Sequence, residues 1–195
     1  WMMAGRNDVK WIEGYNSKMR SYADEGAETL HAAYGFRWTE QFGINQLRRV
    51  CDILRDDPNS RRAVIGMWDP EVDLEEHNDL PCNTHIYLTI DRKGCLEMTV
   101  CNRSNDLVWG MLGTNVVHMT LLQEALATHL GIGVGSYKVF TKNLHVYRDL
   151  PNYEEIWNTI RAVNPYGNVV NYPLSVSGGS EKFGEECDEF IHGYG

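Results

Sequence analysis

The sequence lacks a continuous apolar run of the about 20 residues needed to cross a bilayer. It also lacks a basic stretch followed by an apolar one at its start, so no secretory signal is visible. There is no internal repeat and no low-complexity block. Positive charge is in short supply: 18 Lys and Arg against 27 Asp and Glu give a formal net charge of −9. A broad nucleic-acid or anionic-membrane surface needs the opposite sign, so neither partner is expected. Cysteine is scarce as well. Cys51, Cys82, Cys95, Cys101 and Cys187 are odd in number and irregularly spaced, which argues against a disulfide framework and for a reducing compartment. No Cys-x-x-Cys pair occurs. The loose spacing of Cys82 and His85 has no second pair to complete four ligands, so no metal is expected.

What is present fits one domain. The 195 residues suffice for a substantial core. The chain opens on Trp1 rather than Met, and Trp1-Met2-Met3-Ala4-Gly5 reads as core, so it is expected to start inside a longer protein. Apolar spacing predicts amphipathic helices over Val9 to Ala23 and Asn45 to Arg55, the second ended by Asp57-Pro58. Arg62 to Trp68 reads as a buried strand and Asp69 to Leu80 as a loop. Thr84 to Ile90 and Leu96 to Cys101 read as an antiparallel hairpin with Gly94 in its turn. Asn115 to Leu130 is a central helix stopped by Gly131. A strand over Ser136 to Phe140 and a helix over Tyr153 to Val163 follow. Residues 175–195 are a Gly-rich acidic tail without a structural assignment. This mixed order predicts an α+β layer fold.

Several residues have the chemistry of a site. Pro81 stiffens the approach to Cys82, at the start of a strand; a cysteine held there is either a buried small hydrophobe or a nucleophile activated by nearby positive charge. The arginines Arg48, Arg49, Arg61, Arg62 and Arg103 stand out in so acidic a chain and suit a small polyanion, or else solvated helix faces and salt bridges. Arg103 with Ser104 offers a donor fork and a hydroxyl for a phosphate monoester, although Ser, Asn and Asp here also spell a turn. Asp106 would repel a phosphate but can accept from an amino heterocycle. Asn115 is either a helix cap or a reader of a paired donor and acceptor, such as an O4 and N3–H edge. His145 and Tyr147 alternate, so on an extended segment they share one face and could grip a sugar hydroxyl.

The order of these signals carries more than any one of them. Tyr34-Gly35-x-x-Trp38, Asp57-Pro58-x-Ser60-Arg61-Arg62, Pro81-Cys82, Arg103-Ser104-x-Asp106, an Asn, and His145-x-Tyr147 together resemble the thymidylate synthase family over roughly residues 1 to 165. The wording Arg103-Ser104-Asn105-Asp106-Leu107-Val108-Trp109-Gly110 resembles its phage-type and hydroxymethylase-like branches. The resemblance implies a mixed β-sheet packed with helices and a sheet-to-sheet homodimer, in the cytoplasm of the cell or of a phage's host. It implies one-carbon transfer from 5,10-methylenetetrahydrofolate to C5 of a pyrimidine nucleoside monophosphate such as dUMP or dCMP.

It also implies roles. Cys82 adds to C6 of the base. Arg103 and Ser104 hold the phosphate, with Arg61 and Arg62 reaching from the other subunit. Asn115 reads the base, with Asn83 beside it and Thr114 a rival by register. His145 and Tyr147 bind the sugar. Asp106 and Trp38 contact the folate, and Tyr34 assists removal of the C5 proton. The family's N-terminal segment, with a phosphate-loop arginine and a catalytic glutamate, is expected to be missing. Asn83 replaces the usual His after the nucleophile, and Lys142-Asn143 replaces the usual Gly-Asp. No Trp stands near Met19 to Tyr22, where thymidylate synthases keep one over the methylene carbon. Water admitted there would give a hydroxymethyl product. The alternatives are a true thymidylate synthase, an inactive nucleotide-binding homologue, and a cysteine hydrolase with a His beside Cys82.

Overall fold

The computed structural model describes residues 1–162. The Gly-rich tail and Cys187 lie outside the described residues, as does the expected last residue of the final helix. The core is built on a four-stranded sheet in the order β1-β2-β3-β5 (β1 Val64–Gly66, β2 Asn83–Ile90, β3 Cys95–Asn102, β5 Gly133–Thr141). β1, β2 and β3 run antiparallel, and β5 pairs parallel to β3, which makes the sheet mixed as expected. One face carries Ile86, Leu88, Leu96, Met98 and Val100, all buried. Two helices cover it: α3 (Gln46–Asp56) through Leu47, Val50 and Leu54, and α4 (Asn115–Leu130) through Met119, Leu122 and Leu126.

Local chemistry explains the boundaries. Asn45 caps α3 by accepting from Arg48 N–H, and Gly131, at φ 70°, closes α4 in the left-handed conformation. The hairpin turns at Gly94, as its sequence requires.

The first expected helix is not continuous. α1 is only Val9–Glu13, and a separate 3₁₀ turn covers Ser17–Tyr22. Gly14 ends the first, and Asn16 starts the second by accepting from Lys18 N–H, so the apolar spacing spans two short helices. β1 is likewise shorter than its apolar run, because the N–H groups of Met67 and Trp68 both turn to Thr84 O. α2 (Tyr34–Thr39) was not foreseen. Neither were two features that shape the site. One is a two-residue parallel pair, β4 (Asn105–Asp106) with β6 (Leu144–His145). The other is a wide-turn helical segment, Leu107–Thr114, broken at Gly113. α5 (Tyr153–Ala162) ends the described chain.

Candidate active site

Cys82 sits half-buried between Pro81 and the first residue of β2. Arg103, just past β3, folds back over it. Its backbone N–H donates to Cys82 O at 2.9 Å, its Nε to Pro81 O at 2.9 Å and its Nη2 to Leu80 O at 3.2 Å. The guanidinium also lies 5.5 Å from the centre of the Trp68 ring. The segment before the thiol is thereby held to the sheet. Burial pushes the Cys82 thiol above its ordinary pKa; Arg103 pulls it down and Asp79 pushes it further up. The expected arginine effect operates through Arg103, but burial outweighs it, so the resting thiol keeps its proton at neutral pH.

Tyr34, the first residue of α2, meets this segment from the other side. The backbone N–H groups of Cys82 and Asn83 lie close to its oxygen and pull its pKa down against the larger effect of burial. Burial, with Cys82 and Asp79 nearby, raises its pKa, so the hydroxyl stays protonated and can donate a proton or orient water.

The short β4–β6 pair sets Arg103-Ser104 beside His145. Asp106 pairs with His145 across the two strands, and Ser104 Oγ lies 3.4 Å from His145 Nδ1. The His145 and Tyr147 rings meet edge to face at 5.1 Å. The two residues picked for a sugar are therefore neighbours, and His145 adjoins Ser104.

Asn115 opens α4 as a helical residue, not as a cap. Its Nδ2 donates to Asn105 Oδ1 at 3.2 Å. Asn105 is buried, and its own N–H donates to Asn143 O. Sequence reasoning missed Asn105, whose one signal was an amide between Ser104 and Asp106. Gly110 makes the pairing feasible, because a Cβ there would overlap Asn105 Oδ1 and stand 3.1 Å from Asn115 Nδ2. The rival Thr114 precedes α4 without a side-chain capping bond.

Two buried acceptors remain. Asp106 accepts from Trp109 N–H through Oδ1, while its Oδ2 has no partner among the described residues. Asn83 donates through Nδ2 to Asn102 Oδ1, while its Oδ1 has none. A buried acceptor without a donor is unfavourable until a ligand or water supplies one. Asp106 Oδ2 thus suits an amino-substituted heterocycle.

Other expectations need correction or stand apart. Trp38 has 0% exposure and its Nε1 lies 2.9 Å from Met67 Sδ, so it fills the core under α2 and presents no face to a folate. Arg61 and Arg62 stand exposed ahead of β1, and no hydrogen bond or ion pair engages their guanidinium groups among the described residues. Within this chain they do not join the group around Cys82. No group of three or more His, Cys, Asp or Glu is arranged to hold a metal ion among the described residues, and no helix there is long and apolar enough to cross a membrane.

Comparison with known proteins gives the family of the chain. The family model described as "Thymidylate synthase" matches residues 1–162. The deoxyuridylate hydroxymethyltransferase of Pseudomonas phage M6 is 43% identical over 153 residues, which are 78% of this chain and 43% of that protein. The protein of the same name from Bacillus phage SP01 is 38% identical over 161 residues, 76% of this chain and 42% of that one. A putative thymidylate synthase of Methanopyrus kandleri is 36% identical over 139 residues, 69% of this chain and 66% of that one. The chain thus spans under half the length of the two phage proteins it resembles.

Proposed function

Because the chain belongs to the thymidylate synthase family, we propose that it forms the catalytic body of a deoxyuridylate hydroxymethyltransferase, moving a one-carbon unit from 5,10-methylenetetrahydrofolate to C5 of dUMP. The observation that carries this is a set of pairings between separate parts of the chain, Tyr34 and Arg103 at the Cys82 segment, Ser104 at His145 and Asn115 at Asn105. Two relatives named for that activity support it.

Each residue has a task its surroundings suit. Arg103 and Ser104 take the phosphate, and His145 and Tyr147 the sugar. With one N–H committed to Asn105, Asn115 offers one N–H and one carbonyl. That pair complements the O4 acceptor and N3–H donor of uracil. Cys82 Sγ loses its proton as it bonds to C6, and the C5=C6 electrons pass to C5 and O4. The folate supplies the electrophilic methylene that C5 attacks. Tyr34 orients the water that removes the C5 proton. With that proton gone the bond from the methylene to the folate nitrogen breaks and tetrahydrofolate leaves with the bonding pair. Water adds its oxygen to the exposed methylene carbon to give the hydroxymethyl group, and the sulfur departs from C6 as thiolate to restore the C5=C6 bond. Asp106 Oδ2, buried and without a partner among the described residues, fits an amino group of the pterin.

The outer face of the sheet supports a homodimer. Tyr87 and Phe140 project from it at 44% and 62% exposure, beside His85. Sheet-to-sheet pairing would cover that face and bring Arg61 and Arg62 to the partner's phosphate. The family domain is one unit across the described residues, with the site at one end of its sheet. The reading is tested by incubating the intact protein with methylenetetrahydrofolate and an equal mixture of dUMP and dCMP. It expects hydroxymethylated dUMP, and none from a Cys82→Ser variant. Product on dCMP alone overturns the substrate, and product from Cys82→Ser overturns the nucleophile.

A further inference from the structure

Two stretches run side by side ahead of the site, and they are tied at three successive levels. His31, Ala32 and Tyr34 lead into α2; His77, Asp79 and Cys82 lead into β2. At the first level the imidazoles of His31 and His77 stack, with centroids 3.7 Å apart and planes 8° apart. At the second, Ala32 N–H donates to Asp79 Oδ2 at 3.0 Å. At the third, the Tyr34 hydroxyl sits close to the backbone N–H groups of Cys82 and Asn83.

The stacked rings are anchored outward. His31 Nε2 lies 2.6 Å from Asp73 Oδ1, and His77 Nδ1 lies 2.7 Å from Asp24 Oδ2. Asp73 is gripped by both Nη atoms of Arg37 at 2.7 Å, and Arg37 belongs to the same helix that begins at Tyr34. One stretch is thus fixed to the body of α2, while the other reaches the nucleophile within five residues of His77.

The opposite flank of the Cys82 segment is held independently. Arg103 binds the carbonyls of Leu80, Pro81 and Cys82 whatever happens at the histidines. The residues assigned to phosphate and sugar lie on that Arg103 flank. Loosening the histidine side therefore frees Tyr34 relative to Cys82 and leaves the nucleotide-holding side in place.

Resting on the functional reading above, we propose that the His31–His77 stack and the Ala32–Asp79 hydrogen bond are a positioning device that sets Tyr34 against Cys82 and so governs removal of the C5 proton. None of His31, His77 and Asp79 needs to touch the nucleotide. Their effect falls on the proton-removal step, because misplacement by about 1 Å can slow a reaction by about a hundredfold without altering the groups that bind.

The test uses the intact protein, methylenetetrahydrofolate and dUMP deuterated at C5, following loss of deuterium to water, with dUMP affinity and thermal unfolding measured alongside. His77→Ala removes the stack and His77→Phe restores an aromatic ring. Asp79→Ala removes the acceptor for Ala32 N–H and Asp79→Asn restores one. The alanine variants are expected to release deuterium about tenfold or more slowly with dUMP affinity within about twofold of native, and the conservative variants to recover most of the rate. If one alanine variant fails to fold, the other pair decides. The proposal is overturned by native release rates in the alanine variants, by a parallel loss of dUMP affinity, by conservative variants as slow as the alanines, or by failure of both alanine variants to fold. Absence of deuterium release by the native protein from dUMP and from dCMP overturns the functional reading itself, and the proposal with it.

Discussion

Asn115 Nδ2 donates to Asn105 Oδ1 over 3.2 Å, so one amide of the site is oriented by another before any ligand arrives. Rotating the Asn115 amide would set its carbonyl oxygen against the Asn105 oxygen, so the orientation suited to uracil is the favoured one. Asn115→Asp is expected to lower kcat/KM for dUMP by about a hundredfold or more, since a carboxylate cannot donate to O4. The same change should move preference toward dCMP, whose N4 amino group donates. Competition between the two nucleotides, scored by product, measures both effects.

Gly110 tests the same pair from behind. Gly110→Ala would press a methyl on Asn105 Oδ1 and Asn115 Nδ2, neither of which is a free chain end. Overpacking of this kind typically costs about 1–3 kcal/mol. A lower denaturation midpoint and a raised KM for dUMP are expected together. Unchanged KM alongside lost stability would detach the amide pair from base reading.

Arg103 and Cys82 give a prediction in pH. Arg103 lowers the thiol pKa against the opposing effect of burial. Arg103→Gln removes that pull, so the pKa should rise, and each unit of rise leaves about tenfold less thiolate at neutral pH. Alkylation of Cys82 against pH should shift its midpoint upward in the variant, and the shift should shrink at high salt because Arg103 is exposed.

Much of the fold was legible because its signals are local. α3 and α4 show helical spacing bounded by Asn45 and Gly131, and the β2–β3 hairpin shows β-rich runs around Gly94. The break at Gly14 to Asn16 was hidden, because the apolar residues on either side keep one helical rhythm across it. The β4–β6 pair was hidden because two residues are too few to show an alternating pattern. Trp38 was misread for another reason: an aromatic residue in a family motif serves the core as readily as a ligand, and burial alone separates the two. The ties between the His31 and His77 stretches link residues such as Ala32 and Asp79, 47 apart in the chain, a separation at which residue spacing carries no information.

His77 and Asp24 give a stability prediction with a defined window. The hydrogen bond that His77 donates to Asp24 raises the His77 pKa above its ordinary 6.5. The N–H of Asn78, then His77, lower Asp24 below its ordinary 3.8. The pair's contribution is therefore full between those ordinary values. It fades as pH rises through the elevated His77 value, and again as pH falls through the depressed Asp24 value. Asp24→Asn should destabilise most near pH 5 to 6, by less than about 1 kcal/mol because the pair is partly exposed and screened. The gap between the unfolding midpoints of native and variant should narrow in alkaline buffer to what the Asn78 N–H alone contributes.

The most direct measurement is the mass of the product formed from dUMP and methylenetetrahydrofolate by the intact protein in water labelled with heavy oxygen. The account predicts a hydroxymethylated nucleotide that carries the heavy oxygen, with tetrahydrofolate as the other product. A methylated nucleotide accompanied by dihydrofolate would contradict water capture and make the protein a thymidylate synthase. No modified nucleotide at all would contradict the assignment of Cys82 and its neighbours as a working site.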